Sequence, residues 1–109
     1  MSTIEVRDFF SELVEARLQI CNSTLQIKAK EYGTTDRLHN FKMAAAIQGV
    51  EPETALLGMW AKHLVSVIDI IHDIEQHGKL PTKELLSEKI TDSINYLLLL
   101  EALIEERRE

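Results

Sequence analysis

Cysteine, proline and glycine are all scarce in this chain, and each scarcity excludes something. Cys21 is the lone cysteine among 109 residues, so no disulfide closes within one chain and no cysteine cage holds zinc. Its thiol reads as a small core side chain of a reducing compartment. Two prolines and four glycines leave no low-complexity stretch or linker that would part residues 1–109 into separate domains. Strand-like alternation of apolar and polar residues is absent, so no sheet is expected. Positive charge is also short: 12 Lys and Arg stand against 18 Asp and Glu, a net −6. That balance argues against a general grip on nucleic-acid backbone while leaving room for one local basic pocket. The uninterrupted apolar runs, residues 96–100 and those around Ile70 and Ile71, fall well short of a membrane span. The charged opening, with Glu5, Arg7 and Asp8, lacks the apolar centre of a secretory leader. The expectation is a soluble, acidic, cytoplasmic protein with no membrane partner.

What glycine and proline there are fall where helices would stop and start. Gly33, Gly49 and Gly78 cut the chain, and Pro52 and Pro81 each follow a cut by three residues. Glycine just past a helix end and proline just inside the next start is the asymmetry helices favour. The first segment, about 3–30, opens on a Ser2-Thr3-Ile4-Glu5 capping box. Asp36 is placed to cap a second helix over 37–48, Pro52 opens a third that runs to about 77, and Thr82 caps a fourth from 83 to about 106. Four helices with short connections in one domain predict an all-α, four-helix bundle-like fold.

Polar residues that interrupt the apolar pattern point to function. The third helix is apolar on nearly every side, through Leu56, Leu57, Met59, Trp60, Leu64, Val65, Val67, Ile68, Ile70, Ile71 and Ile74, and is expected to be largely buried. Lys62, Ser66, Asp69 and Asp73 nevertheless form a single stripe at helical spacing. The fourth helix carries a matching stripe, Glu88, Asp92 and Asn95, between Ile90, Ile94, Leu97 and Leu98. Carboxylates buried in this way need a counter-charge, hydrogen bonds or a metal. If the two stripes face each other, Asp69, Asp73, Glu88 and Asp92 surround one point and would suit a hard cation such as Mg²⁺. Structural ion pairs with Lys62, Arg37 or Lys89 are the alternative.

Residues 28–42 are the second anomaly. Lys28, Lys30, Arg37, His39, Asn40 and Lys42 crowd around a turn with Tyr32 and Phe41. Cationic and amide donors near a helix start suit phosphates, and either aromatic could stack on a base; a solvated loop with Phe41 in the core is the other reading. His63, next to Lys62, is a site donor or a surface residue.

Four motifs, Glu31-Tyr32-Gly33, Arg37-Leu38-His39-Asn40-Phe41, Gly58-Met59-Trp60-Ala61-Lys62-His63, and the stretch from Glu88 through Asp92 and Asn95 to Tyr96, together resemble the small phage and prophage proteins grouped as nucleotide modification associated domains. That group is similar to the MazG-like all-α nucleoside triphosphate pyrophosphatases. The likeness covers roughly residues 28–103. It implies an all-α, often oligomeric fold, nucleotide ligands and a bacterial cytoplasm reached through a phage. It also implies Mg²⁺ on acidic pairs. Glu88 and Asp92 take the place of the second pair and Asp69 and Asp73 that of the first, in both cases at i, i+4 where the relatives have i, i+3. Glu12 and Glu15 have the relatives' spacing but lie outside the matching part.

Two functions follow as expectations. The first is a phage-type nucleotide-binding protein, either a Mg²⁺-dependent (deoxy)nucleotide pyrophosphohydrolase or an accessory to nucleotide modification. In it Arg37, His39 and Lys62 contact phosphates and Tyr32, Asn40 and Asn95 orient base or sugar; Lys28, His63 and Tyr96 complete the nucleotide-binding set. The second, an anti-defence role prompted by the altered carboxylate spacing, is a sponge that sequesters a host signalling nucleotide without cleaving it. Apolar surface in excess of what one small domain can cover predicts a homo-oligomer, with Met59, Trp60, Leu64, Leu98 and the end of the first helix as contact candidates and the nucleotide site near the interface.

Overall fold

The computed structural model describes residues 8–32 and 36–109. They form α1 (Phe9–Tyr32), α2 (His39–Gln48), α3 (Pro52–His77) and α4 (Lys83–Arg107); among the described residues there is no strand. The predicted capping box and Gly33 lie outside the described residues.

Local chemistry sets the helix ends. The Asp8 carboxylate accepts from the Ser11 amide at 2.6 Å, and the Thr82 hydroxyl accepts from the Leu85 amide at 3.1 Å, each satisfying a donor the first turn would leave open. Pro52 occupies the first turn of α3, where its missing N–H costs nothing. Gly49 and Gly78 close α2 and α3 at φ of 69° and 62°, the left-handed geometry a side chain would strain. Asp36 does not cap a helix from Arg37 as predicted: α2 begins at His39 with Leu38 at its N-cap, and the Asp36 carboxylate accepts from the Leu38 amide at 2.9 Å in the turn before it.

Packing is concentrated at one end. α3 and α4 form an antiparallel hairpin, and Arg107 at the end of α4 reaches back to Glu53 (2.6 and 2.8 Å) and Glu51 (2.7 Å) at the start of α3. α2 lies across α3. Leu38, Phe41, Leu56 and Leu103 are buried together there, with Met59, Tyr96, Leu99 and Leu100 against them. α1 runs beside α4 in the same direction and touches no other described helix. Arg17 donates to the Ser87 and Thr91 hydroxyls at 2.6 and 2.9 Å, and the Asn95 amide donates to the Cys21 carbonyl at 3.2 Å.

The helices are thus all present, but the described residues do not close into a bundle. The radius of gyration is 17.1 Å, against about 13 Å for a compact domain of this length. The expectation that α3 is buried all round is corrected. Val65, Ile68, Ile71 and Ile74 are 55%, 49%, 55% and 43% exposed, because among the described residues nothing packs on that side. Asp69 and Asp73 are likewise exposed, so neither carries a burial cost that would demand a metal. Read as a whole helix rather than by unbroken runs, α3 is long and apolar enough to cross a membrane, with a mean hydropathy of 1.4 in its most apolar window, of which 11% is buried.

Candidate functional site

The polar stripe of α4 forms the floor of a cleft of about 370 Å³. α1 makes one wall with Thr24, Leu25, Lys28 and Ala29; α2 and α3 make the other with Arg37, Asn40, Phe41, Met59, Lys62 and His63. Glu88, Asp92, Asn95, Tyr96 and Leu99 lie between them. The volume is at the small end of the range typical of ligand pockets. Helical periodicity explains the convergence. Glu88, Asp92 and Asn95 recur on one side of α4, and Met59, Lys62 and His63 on one side of α3.

Three cations line the cleft, Lys28 from α1, Arg37 from the turn before α2 and Lys62 from α3. Arg37 is held against α1, its guanidinium donating to the Leu25 carbonyl at 2.7 Å. The turn that carries Arg37 and the start of α2, with Asn40, are pinned by a small network. Lys42 reaches Asp36 at 3.0 Å and Glu106 at 2.6 Å. The Leu38 amide first, then Lys42, hold the Asp36 carboxyl below its usual value, and Glu106 followed by Asp36 hold the Lys42 ammonium above its own.

The floor is aromatic and carries unmet polar groups. Tyr96 stands edge-on to Phe41 at 6.4 Å between centroids and tilted over His63 at 5.5 Å. His63 Nδ1 lies 3.4 Å from an Asp92 carboxylate oxygen and makes no hydrogen bond, and Asn95 Oδ1 is buried without a hydrogen-bond partner. A polar atom left so is costly unless something from outside the chain meets it.

The cleft gathers Lys28, Arg37, Asn40, Lys62, His63, Asn95, Tyr96, Glu88 and Asp92 from the sequence-derived set. His39 is exposed and does not line it, because it faces away on the first turn of α2, and the Tyr32 side chain lies outside the described residues. Asp69 and Asp73 also stand elsewhere, on later, exposed turns of α3, so the four carboxylates do not surround one point. Among the described residues, no three His, Cys, Asp or Glu side chains come together as a metal-holding group; of the four carboxylates, Glu88 and Asp92 line the cleft. Arg17, Ser87 and Thr91, which fix α1 to the floor, carry no local sequence signal. No family model matches the chain, and no curated protein or solved structure is similar to it.

Proposed function

We propose that this cleft binds a nucleotide and holds it without cleaving it. Lys28, Arg37 and Lys62 take the phosphate, whose charge and multiple acceptors suit several separate cations. The base lies against Phe41, Tyr96 and His63, and the Asn95 carbonyl accepts a hydrogen bond from it. The observation that carries the reading is the pairing of three cations, from α1, the turn before α2 and α3, with aromatic side chains and a buried, unmet acceptor. The motif likeness to nucleotide modification associated domains supports the same ligand class, and with it a phage-encoded role in sequestering a host nucleotide. Hydrolysis is the second reading, favoured by Glu88 and Asp92 both lining the cleft.

Calorimetry with nucleoside mono-, di- and triphosphates and cyclic nucleotides, each with and without Mg²⁺, tests the proposal. At least one is expected to bind, and Arg37→Ala and Lys62→Ala each to weaken it about tenfold or more, the usual worth of a hydrogen bond to a charged group. Intact nucleotide recovered from the denatured complex supports sequestration; cleaved product supports the second reading. Failure of every nucleotide to bind rejects both.

A further inference from the structure

Exposed apolar side chains occur along the whole molecule, Ile47, Leu57 and Leu98 among them, and one end brings several together from different helices. Arg17 pairs with Ser87 and Thr91 and Cys21 with Asn95, so the start of α1 lies beside the start of α4. The turn around Leu80 brings the end of α3 to the same place. Phe9, Phe10, Leu13, Ile71 and Leu80 are there 80%, 70%, 47%, 55% and 74% exposed, while the packed cluster of Leu38, Phe41, Leu56 and Leu103 sits at the opposite end. We infer that this end is the interface with a second copy of the same chain, the two copies packing their α1 starts and α3 ends against each other about a twofold axis.

Area supports that occupant. The chain exposes 8185 Å², whereas a compact monomer of its mass exposes about 6,200 Å² by the usual scaling. The excess of about 2,000 Å² is more than the ~800 Å² each partner contributes to a standard interface and falls within the range of obligate homodimers. A twofold interface needs only one self-complementary patch, which the apolar side chains of this end would supply. A bilayer would be a worse cover for α3. Lys62, Asp69, Asp73 and Glu75 lie within it, and a charge at mid-bilayer costs about 2.5–3.5 kcal/mol on insertion scales. The contact therefore differs from the one expected from sequence: Met59 packs on the core, and the start rather than the end of α1 takes part.

Light scattering on the eluting full chain tests this, alongside the variants Leu13→Asp and Ile71→Asp and the control Ile47→Asp, whose site on α2 is 81% exposed and outside the proposed interface. The wild type and the control are expected at twice 12.5 kDa, and the two variants at 12.5 kDa with unchanged helical circular dichroism. A monomeric wild type overturns the inference, whether it stays in buffer or floats with phosphatidylglycerol vesicles. So does an oligomer whose mass Leu13→Asp and Ile71→Asp, still helical, leave unchanged. Variants that lose their helical signal leave the wild-type mass to decide.

Discussion

Asn95 has two tasks, and they fix each other. Its Nδ2 donates to the Cys21 carbonyl, so turning the amide over would set two acceptors face to face. The Oδ1 atom is therefore left as a buried acceptor on a residue that lines the cleft. A ligand with an N–H or O–H at that point relieves a buried unmet acceptor; a ligand with another acceptor there is repelled. Asn95→Asp keeps the shape but removes the donor to Cys21 and adds charge to a buried site. It is expected to lower unfolding free energy by about 1–3 kcal/mol, the penalty for stranding a buried polar group. Urea titration measures it, and an unchanged midpoint would show that the contact with α1 contributes nothing. Asn95 is also the site residue most legible from sequence. A lone amide among Ile94, Leu97 and Leu98 predicts a polar partner wherever that stretch of the helix is buried. The identity of that partner was not legible, because a backbone carbonyl on α1 leaves no trace in side-chain pattern.

At the scale of elements, short-range chemistry was readable and long-range pairing was not. Gly78, Thr82 and Pro52 mark helix ends because caps and turns act within four residues. Asp69 misled because apolar neighbours reveal that a helix has apolar faces, not which of them finds a partner. Arg17 was invisible because its hydroxyl partners are some seventy positions away. Those bonds nonetheless hold α1, together with Asn95 on the Cys21 carbonyl and Arg37 on the Leu25 carbonyl. Arg17→Ala is expected to raise hydrogen exchange across α1 while leaving α2 and the start of α3 protected; uniform protection across the chain would show that α1 is held by something else. A second element-scale contact titrates. Arg107, first among the causes, draws the Glu53 carboxyl below its usual 4.5. A carboxylate so lowered adds stability that is fully present above the ordinary glutamate value and is lost as pH falls through the lower folded one. The melting temperature should therefore drop below pH 4.5, and less steeply in Arg107→Gln. Both side chains are partly exposed, so salt should weaken the difference. Parallel acid profiles for the two proteins would show that the pair does not couple to folding.

For the molecule as a whole, a core confined to one end sets the terms of stability. Leu56 is the most completely buried large side chain, at 1% exposure, and Leu56→Ala should cost about 2–5 kcal/mol, an appreciable share of the ~5–15 kcal/mol that holds a domain of ordinary stability. Among the described residues the other end has no comparable one: the starts of α1 and α4 and the end of α3 carry exposed apolar side chains. A protein that completes its packing only against a second copy has a stability tied to its own concentration, because association draws the folded state forward and leaves the unfolded one behind. Differential scanning calorimetry over a hundredfold range of protein concentration should therefore show the wild-type melting temperature rising with concentration. In Ile71→Asp the transition should sit lower and no longer move. Leu56→Ala, whose site is at the packed end, should melt lower at every concentration yet keep the wild-type slope. A wild-type transition that is independent of concentration would mean that the packed end alone sustains the fold and that the apolar end is tolerated in water.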